Sequence, residues 1–270
     1  MDLPFREVWG CDFEFISDPG ERPFVVCMVA KELRTGRLIR FWRDELPASP
    51  PFPVGNDALF IAYAAAAELG CFLQLGWPMP TRVLDLHFEY LAKINGRNDP
   101  LGDGLLAALS RHGIPSITAD EKEAGRGKVM RGGPWSTTER EEILVYCQTD
   151  VDPLGPLLER MLPGIRSSPK GLGQALLRGR YAAAVAHMEH VGVPVNTPML
   201  ERLRANWGAI KSGLIAEVDR DYGIYENTTF KMARFADWLK REGIPWPVTE
   251  HDTLSTDQDT FHERARATRR

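Results

Sequence analysis

The sequence predicts an α/β domain followed by a mainly α-helical region. Three observations predict it. Between residues 8 and 42, three apolar runs rich in Val, Ile, Phe and Trp are separated by short turns. From 58 to 162, short apolar runs alternate with helix signals. From 174 onward the pattern is helical only. A strand meander, then alternating strands and helices, then helices, is the signature of an α/β layer with a helical appendage.

In order along the chain, residues 8–16 read as a first strand, V-W-G-C-D-F-E-F-I. Residues 24–30 and 38–42 follow as second and third strands across the turns S-D-P-G and R-T-G, an antiparallel meander. Residues 47–53, P-A-S-P-P-F-P, exclude helix and central strand. Residues 58–63 read as a short buried strand, and 64–75 as an alanine-rich helix closed by Gly76 and Pro78. A short strand at 82–86 leads into a helix from His87, with Asp85 suited to cap it. Residues 104–111 form a helix. The polar, glycine-rich 119–134 reads as short helical turns and loop. Ser136 or Thr137 then caps a helix reaching Asp150, and Asp152-Pro153 starts another to Leu162. Residues 164–173 read as a linker between a domain at 1–163 and a helical region at 174–270. That region has helices at 174–191, 198–222 and 228–242 and a frayed polar tail.

The bulk numbers bound the class. With 270 residues, 43% hydrophobic and 26% charged, the chain reads as globular. It has no apolar run of membrane-spanning length, and its start, M-D-L-P-F-R-E, does not read as a signal peptide. Cys11, Cys27, Cys71 and Cys147 lie in separate segments with no C-x-x-C pair, as reduced core thiols of a cytoplasmic protein do. The net charge of −4 excludes bulk nucleic-acid coating, but the charge is uneven. Residues 1–163 carry 17 Lys and Arg against 24 Asp and Glu; the remainder carry 16 against 13.

The chemistry begins in the first strand. Asp12 and Glu14 are two apart, so they share a face about 7 Å apart along the chain, while Cys11, Phe13 and Phe15 face away. Like charges on one buried face repel and are costly to desolvate. No Lys or Arg lies in the stretch, which leaves a divalent cation or a wet edge strand as the two readings. Three further acids are candidates to converge on them. Glu68 follows four alanines on a helix, either as an ordinary exposed Glu or on a face smooth enough for close approach. Tyr146 and Asp150 are four apart on one helix face, able to orient a water or simply to bond each other. Asp85 reads as a helix cap. Arg126, Lys128 and Arg131 precede that last helix, as phosphate contacts or as a solvated basic loop. Phe15, Trp77 and Trp135 could stack bases but read better as core. His187 and His190, three apart, read as surface or core histidines.

The ordered set D-x-E, a helical acid after the fourth strand, and Y-x-x-x-D resembles the DEDD exonucleases, in the subgroup with tyrosine in the third motif. The resemblance is to the 3′–5′ proofreading domain of family A, polymerase-I-like DNA polymerases of phage and mobile-element type. The runs A-E-L-G-C-F-L-Q-L-G-W-P-M-P, R-G-G-P-W-S and Y-C-Q-T-D-V-D-P-L carry it further. It implies an RNase H-like 3′–5′ exonuclease fold, a mixed five-stranded sheet with helices, and two Mg²⁺ (or Mn²⁺) ions. On it Asp12 matches the acid bridging both ions, Glu14 and Asp150 match ligands of the nucleophile-side ion, Glu68 matches the acid supporting the other, and Tyr146 matches the residue positioning the attacking water. This sequence departs from the family pattern in having Glu68 for the usual Asp and alanines where an Asn precedes it. Residues 174–265, with R-G-R-Y-A-A-A-V-A-H-M-E-H-V-G-V-P-V-N, resemble the segment joining exonuclease to thumb.

The expectation is a metal-dependent exonuclease acting on 3′ ends of single-stranded DNA, or of RNA, without polymerase activity of its own and with no membrane partner. The alternative is a non-catalytic module that binds nucleic acid or a partner, such as the N-terminal part of a split polymerase I docking its other half or another replication or repair protein.

Overall fold

A computed structural model describes residues 2–95, 100–167 and 169–268. Five strands form one mixed sheet in the order β3-β2-β1-β4-β5: β1 Glu7–Ile16, β2 Phe24–Glu32, β3 Leu38–Trp42, β4 Ala58–Ala62 and β5 Val83–Asp85. The pairs β1–β2 and β2–β3 are antiparallel; β1–β4 and β4–β5 are parallel. This is the mixed five-stranded, RNase H-like layout expected from the sequence, with a helical region after it.

β1 is central and its neighbours are unequal. β2 pairs with it from Trp9 to Ile16, but the ladder to β4 stops at Gly10. Residues 11–16 therefore present one free backbone edge, and the sheet opens there. One face of the sheet is packed by α2 Leu86–Ile94, α3 Leu105–Arg111 and α6 Leu154–Ile165, with Val8, Leu59, Ile61 and Leu84 beneath them. On that face α5 Thr137–Val151 buries Ile143, Cys147 and Val151 against Val26, Cys27 and Val29. The opposite face is covered by α1 Ala65–Gln74 and α7 Gly171–Val191, with Trp9, Cys11, Phe13, Phe60 and Phe72 between.

Two buried carboxylates tie turns rather than perform chemistry. Glu32 accepts from the N–H groups of Val8, Arg34 and Thr35 and from the Thr35 hydroxyl, which fixes the β2–β3 turn and holds its pKa below the usual range. Asp85 caps α2 through His87 and Phe88, as expected, and also accepts from Ala64 and Ala65. Ala64 sits in the left-handed region at φ 66°, and these bonds hold that turn in place.

The structure corrects three expectations. Residues 119–130 are not loop: Ala119–Met130 is a helix, α4. Thr118 accepts from Glu121 N–H and Glu121 from Thr118 N–H, a capping box that offsets part of the cost of Gly125 and Gly127, and ion pairs to α5 add to it. Residues 164–173 do not divide the chain either; the first compact unit runs from Met1 to Val193. The cause is α7. A Cβ on its Gly179 would lie 1.9 Å from the Val83 carbonyl oxygen, and its Arg178 grips the buried Glu89 of α2 at 2.6 and 2.8 Å. Helix α7 is thus a wall of the sheet domain. Finally, the expected helix at 228–242 begins only at Met232, after a hairpin of β6 Tyr225–Glu226 and β7 Thr229–Phe230.

The second unit, Pro194–Arg270, contains that hairpin, α8 Thr197–Tyr222, α9 Met232–Arg241 and α10 Gln258–Thr268. Its small core is Ile224, Phe235 and Leu239 with Trp238 and Trp246 packed against them. The tail is helical over α10 rather than frayed; Ser168 of the expected linker and the terminal Arg269 and Arg270 lie outside the described residues. Among the described residues no helix is long and apolar enough to cross a membrane.

Because α7 completes the sheet domain, a chain cut after 193 should fold and one cut after 163 should not. Urea unfolding followed by circular dichroism should show a cooperative transition for 1–193 and none for 1–163.

Candidate active site

The free edge of β1 is where the acids meet. Asp12 and Glu14 point toward α5, and their carboxylate oxygens and the Cys147 sulfur lie within 4.8 Å of one another. Tyr146 and Asp150 come from the same helix, one turn apart. Together with Glu68, Phe15, Lys122 and Arg126 these residues line one cleft of about 320 Å³. The fold thus draws the five sequence-predicted residues Asp12, Glu14, Glu68, Tyr146 and Asp150 to one place from β1, α1 and α5.

Each is held differently. Asp12 accepts from the Cys147 thiol at 3.3 Å, and its backbone carbonyl faces the same sulfur at 3.4 Å. Glu68 is buried, and its carboxylate takes the Phe13 N–H at 2.8 Å. That bond falls on the edge β4 leaves open, so Glu68 pins the strand between Asp12 and Glu14. Asp150 receives the Lys122 ammonium at 2.6 and 2.8 Å, one contact to each oxygen. The Tyr146 ring lies flat against α4, where a Cβ on Gly125 would come within 2.3 Å of it.

Of the three basic residues expected at phosphates, Arg126 lines the cleft. Lys128 and Arg131 are instead engaged by Glu142 at 2.6 Å and Glu139 at 2.8 Å, lacing α4 to α5. Phe15 also reaches the cleft, whereas Trp77 is buried and Trp135 packs on Trp42. His187 and His190 join no cluster of metal-ligating type among the described residues. Sequence reasoning missed Lys122, Gly125 and Cys147. Lys122 and Gly125 were hidden by reading α4 as loop, although T-A-D-E at 118–121 has the same capping-box form as S-T-T-E at 136–139.

The electrostatics are those of crowded, desolvated acids. Burial, then Asp150, pushes the Asp12 carboxyl up to about 8, with the Cys147 bond and Lys122 opposing. Burial, then Asp12, pushes Glu14 to about 10. Burial and Asp12 raise Glu68 as well. Tyr146 is raised by burial and by Glu14, so its phenol stays protonated. Burial likewise raises the Cys147 thiol, which acts as a hydrogen-bond donor rather than a thiolate ligand. What remains for a metal is a set of carboxylate oxygens, the donors that Mg²⁺ and Mn²⁺ take. The residues present fit a hard divalent cation.

The fold is RNase H-like, and solved structures that share it are described as nucleases. A structure described as the apo form of the nuclease superposes with a TM-score of 0.53 at 13% identity, covering 70% of this chain and 86% of that one. NrnC of Brucella melitensis gives 0.51 at 14% identity, with 70% and 88% covered. Escherichia coli RNase D, an exoribonuclease involved in structured RNA processing, gives 0.44 at 14%, with 96% and 67% covered. No protein-family model and no curated protein matches the chain.

Two outcomes follow from this geometry. In the native state Asp12 and Glu14 hold protons that the unfolded chain releases near pH 4, so native protein binds more protons and stability falls as pH rises. Without divalent cation the melting temperature should drop between about pH 5 and pH 9, and Asp12→Asn should flatten the slope. Gly125→Ala should push Tyr146 aside, costing about 1–3 kcal/mol of stability in urea titrations.

Proposed function

We propose that this chain is a metal-dependent 3′–5′ exonuclease that hydrolyses phosphodiester bonds at the 3′ ends of single-stranded nucleic acid. The observation that carries the reading is the convergence of Asp12, Glu14, Glu68, Tyr146 and Asp150 on one open cleft. A shared fold alone does not fix an activity.

Asp12, Glu14 and Asp150 would hold the divalent cations. When bound, a pair of such ions polarises the phosphodiester and lowers the pKa of water. Water adds to phosphorus, the P–O3′ bond breaks, the shortened strand keeps a 3′-hydroxyl and a nucleoside 5′-monophosphate leaves. Tyr146, kept protonated, positions the water by hydrogen bonding and is not its base. Arg126, which lines the cleft, offers a charge to the phosphates of a bound strand. Glu68 acts through the strand: by holding the Phe13 N–H it keeps Asp12 and Glu14 aimed together. Its extra methylene relative to Asp suits that reach to the backbone.

The finer reading is a proofreading-type domain of a polymerase-I-like protein. The motif order, the tyrosine in the third motif and the helical unit after the sheet domain support it. In that reading the second unit docks a polymerase half. On α8, Leu200, Leu203, Trp207, Ile210 and Leu214 are exposed at alternating three- and four-residue spacing, which suits a helical partner. One observation favours the non-catalytic alternative, the engagement of both Asp150 oxygens by Lys122.

Digestion of 5′-labelled single-stranded DNA and RNA with Mg²⁺ or Mn²⁺ decides. A ladder shortening from the 3′ end is expected, lost by a factor of about 10³ or more in Asp12→Ala. Product no greater than that of Asp12→Ala would leave the binding-module reading standing. Tyr146→Phe should reduce turnover by about 100-fold, the cost of a misplaced attacking water, while leaving Mn²⁺ binding unchanged.

A further inference from the structure

We propose that Lys122 is a tethered counter-ion of the acid cluster: its ammonium occupies Asp150 until a divalent cation displaces it, and it then turns to the phosphate of the substrate. The inference rests on the metal-dependent reading of the same site.

The geometry is specific. Lys122 Nζ lies 2.6 Å from one Asp150 oxygen and 2.8 Å from the other, so the ammonium engages both. Both partners are largely sheltered, with side chains 30% and 14% exposed. An ammonium and a divalent ion held on the same carboxylate repel each other, and no second carboxylate among the described residues is bonded to this ammonium to offset that. An ion that ligates Asp150 therefore competes with the ammonium for it.

The helix does not move with it. Lys122 lies in the first turn of α4, where the Thr118–Glu121 capping box fixes the backbone and the Lys122 N–H bonds the Thr118 carbonyl at 3.0 Å. Only the four-carbon stem can swing. Its place makes the swing useful. A second cleft of about 300 Å³, with Tyr63, His87 and Asp103 in its wall, shares Asp12, Lys122 and Asp150 with the first among the described residues. The ammonium is the post between two clefts, and a strand threading both would carry a phosphate past it. A lysine ammonium is a compact charge well suited to a phosphate oxygen. Exchange of partners from carboxylate to phosphate links metal binding to substrate binding, and such linkage is reciprocal.

The test is calorimetric titration of the full chain with Mn²⁺ in the absence of nucleic acid. Lys122→Met and Lys122→Gln should each bind Mn²⁺ more tightly than wild type, by about tenfold or more, because the competing charge is gone. Lys122→Arg, which keeps the charge, should bind no more tightly than wild type. The uncharged variants should also melt at lower temperature than wild type without Mn²⁺ and regain the difference when it is added. Unchanged or weaker Mn²⁺ binding in a folded Lys122→Met or Lys122→Gln overturns the proposal while leaving the metal site intact. Wild type that binds no more Mn²⁺ than Asp12→Ala overturns the metal reading itself, and this proposal with it.

Discussion

The structure depends on a constraint at one strand: two carboxylates two residues apart on the central β1, in a place where water is scarce. Neither can be turned outward, because a one-residue slip would send the whole strand to the wrong face. Their charge must be met where they stand. The protein meets it in pieces. The Cys147 thiol donates to Asp12, Lys122 faces the cluster from α4, and protons remain on the acids well above their ordinary range. Each device is partial, which is why the cluster retains a demand for further positive charge.

The unequal ladders of β1 turn that demand into a site. Had β4 run alongside β1 to its end, the edge beyond Gly10 would be sealed. Because β4 stops, α1 can begin there, and its Glu68 takes a backbone donor that no strand claims. Site and topology share a cause: the parallel ladder ends where a side chain of α1 reaches β1.

Much of this was legible in the sequence. The D-x-E spacing on an apolar strand, the Y-x-x-x-D spacing on a well-capped helix and the three-strand meander each follow from period-2 or period-3.6 geometry, which local sequence states directly. What was not legible depends on distance in space. Glycine content made 119–134 look irregular, because a glycine lowers helix propensity whatever its reason for being there. Gly125 is there to let Tyr146 lie close, a reason visible only once α4 and α5 are packed. The boundary after 163 was misplaced for a similar cause: P-G-I-R-S-S-P-K-G-L-G has linker composition, yet the helix beyond it is bound to the sheet domain by Gly179 against Val83 and by Arg178 on Glu89, 89 positions away in sequence. The Glu68 backbone bond likewise spans 55 positions, and no local pattern announces it.

Asp85 carries one more consequence. A single carboxylate holds the amides that start α1 and those that start α2, so loosening Asp85 weakens both helix starts at once. Since α1 carries Glu68 and the Tyr63–Ala64 turn borders the second cleft, any breathing of that corner would slacken both walls of the groove together. The protein would then sample an ajar state as a unit, rather than a graded series of loosened ones.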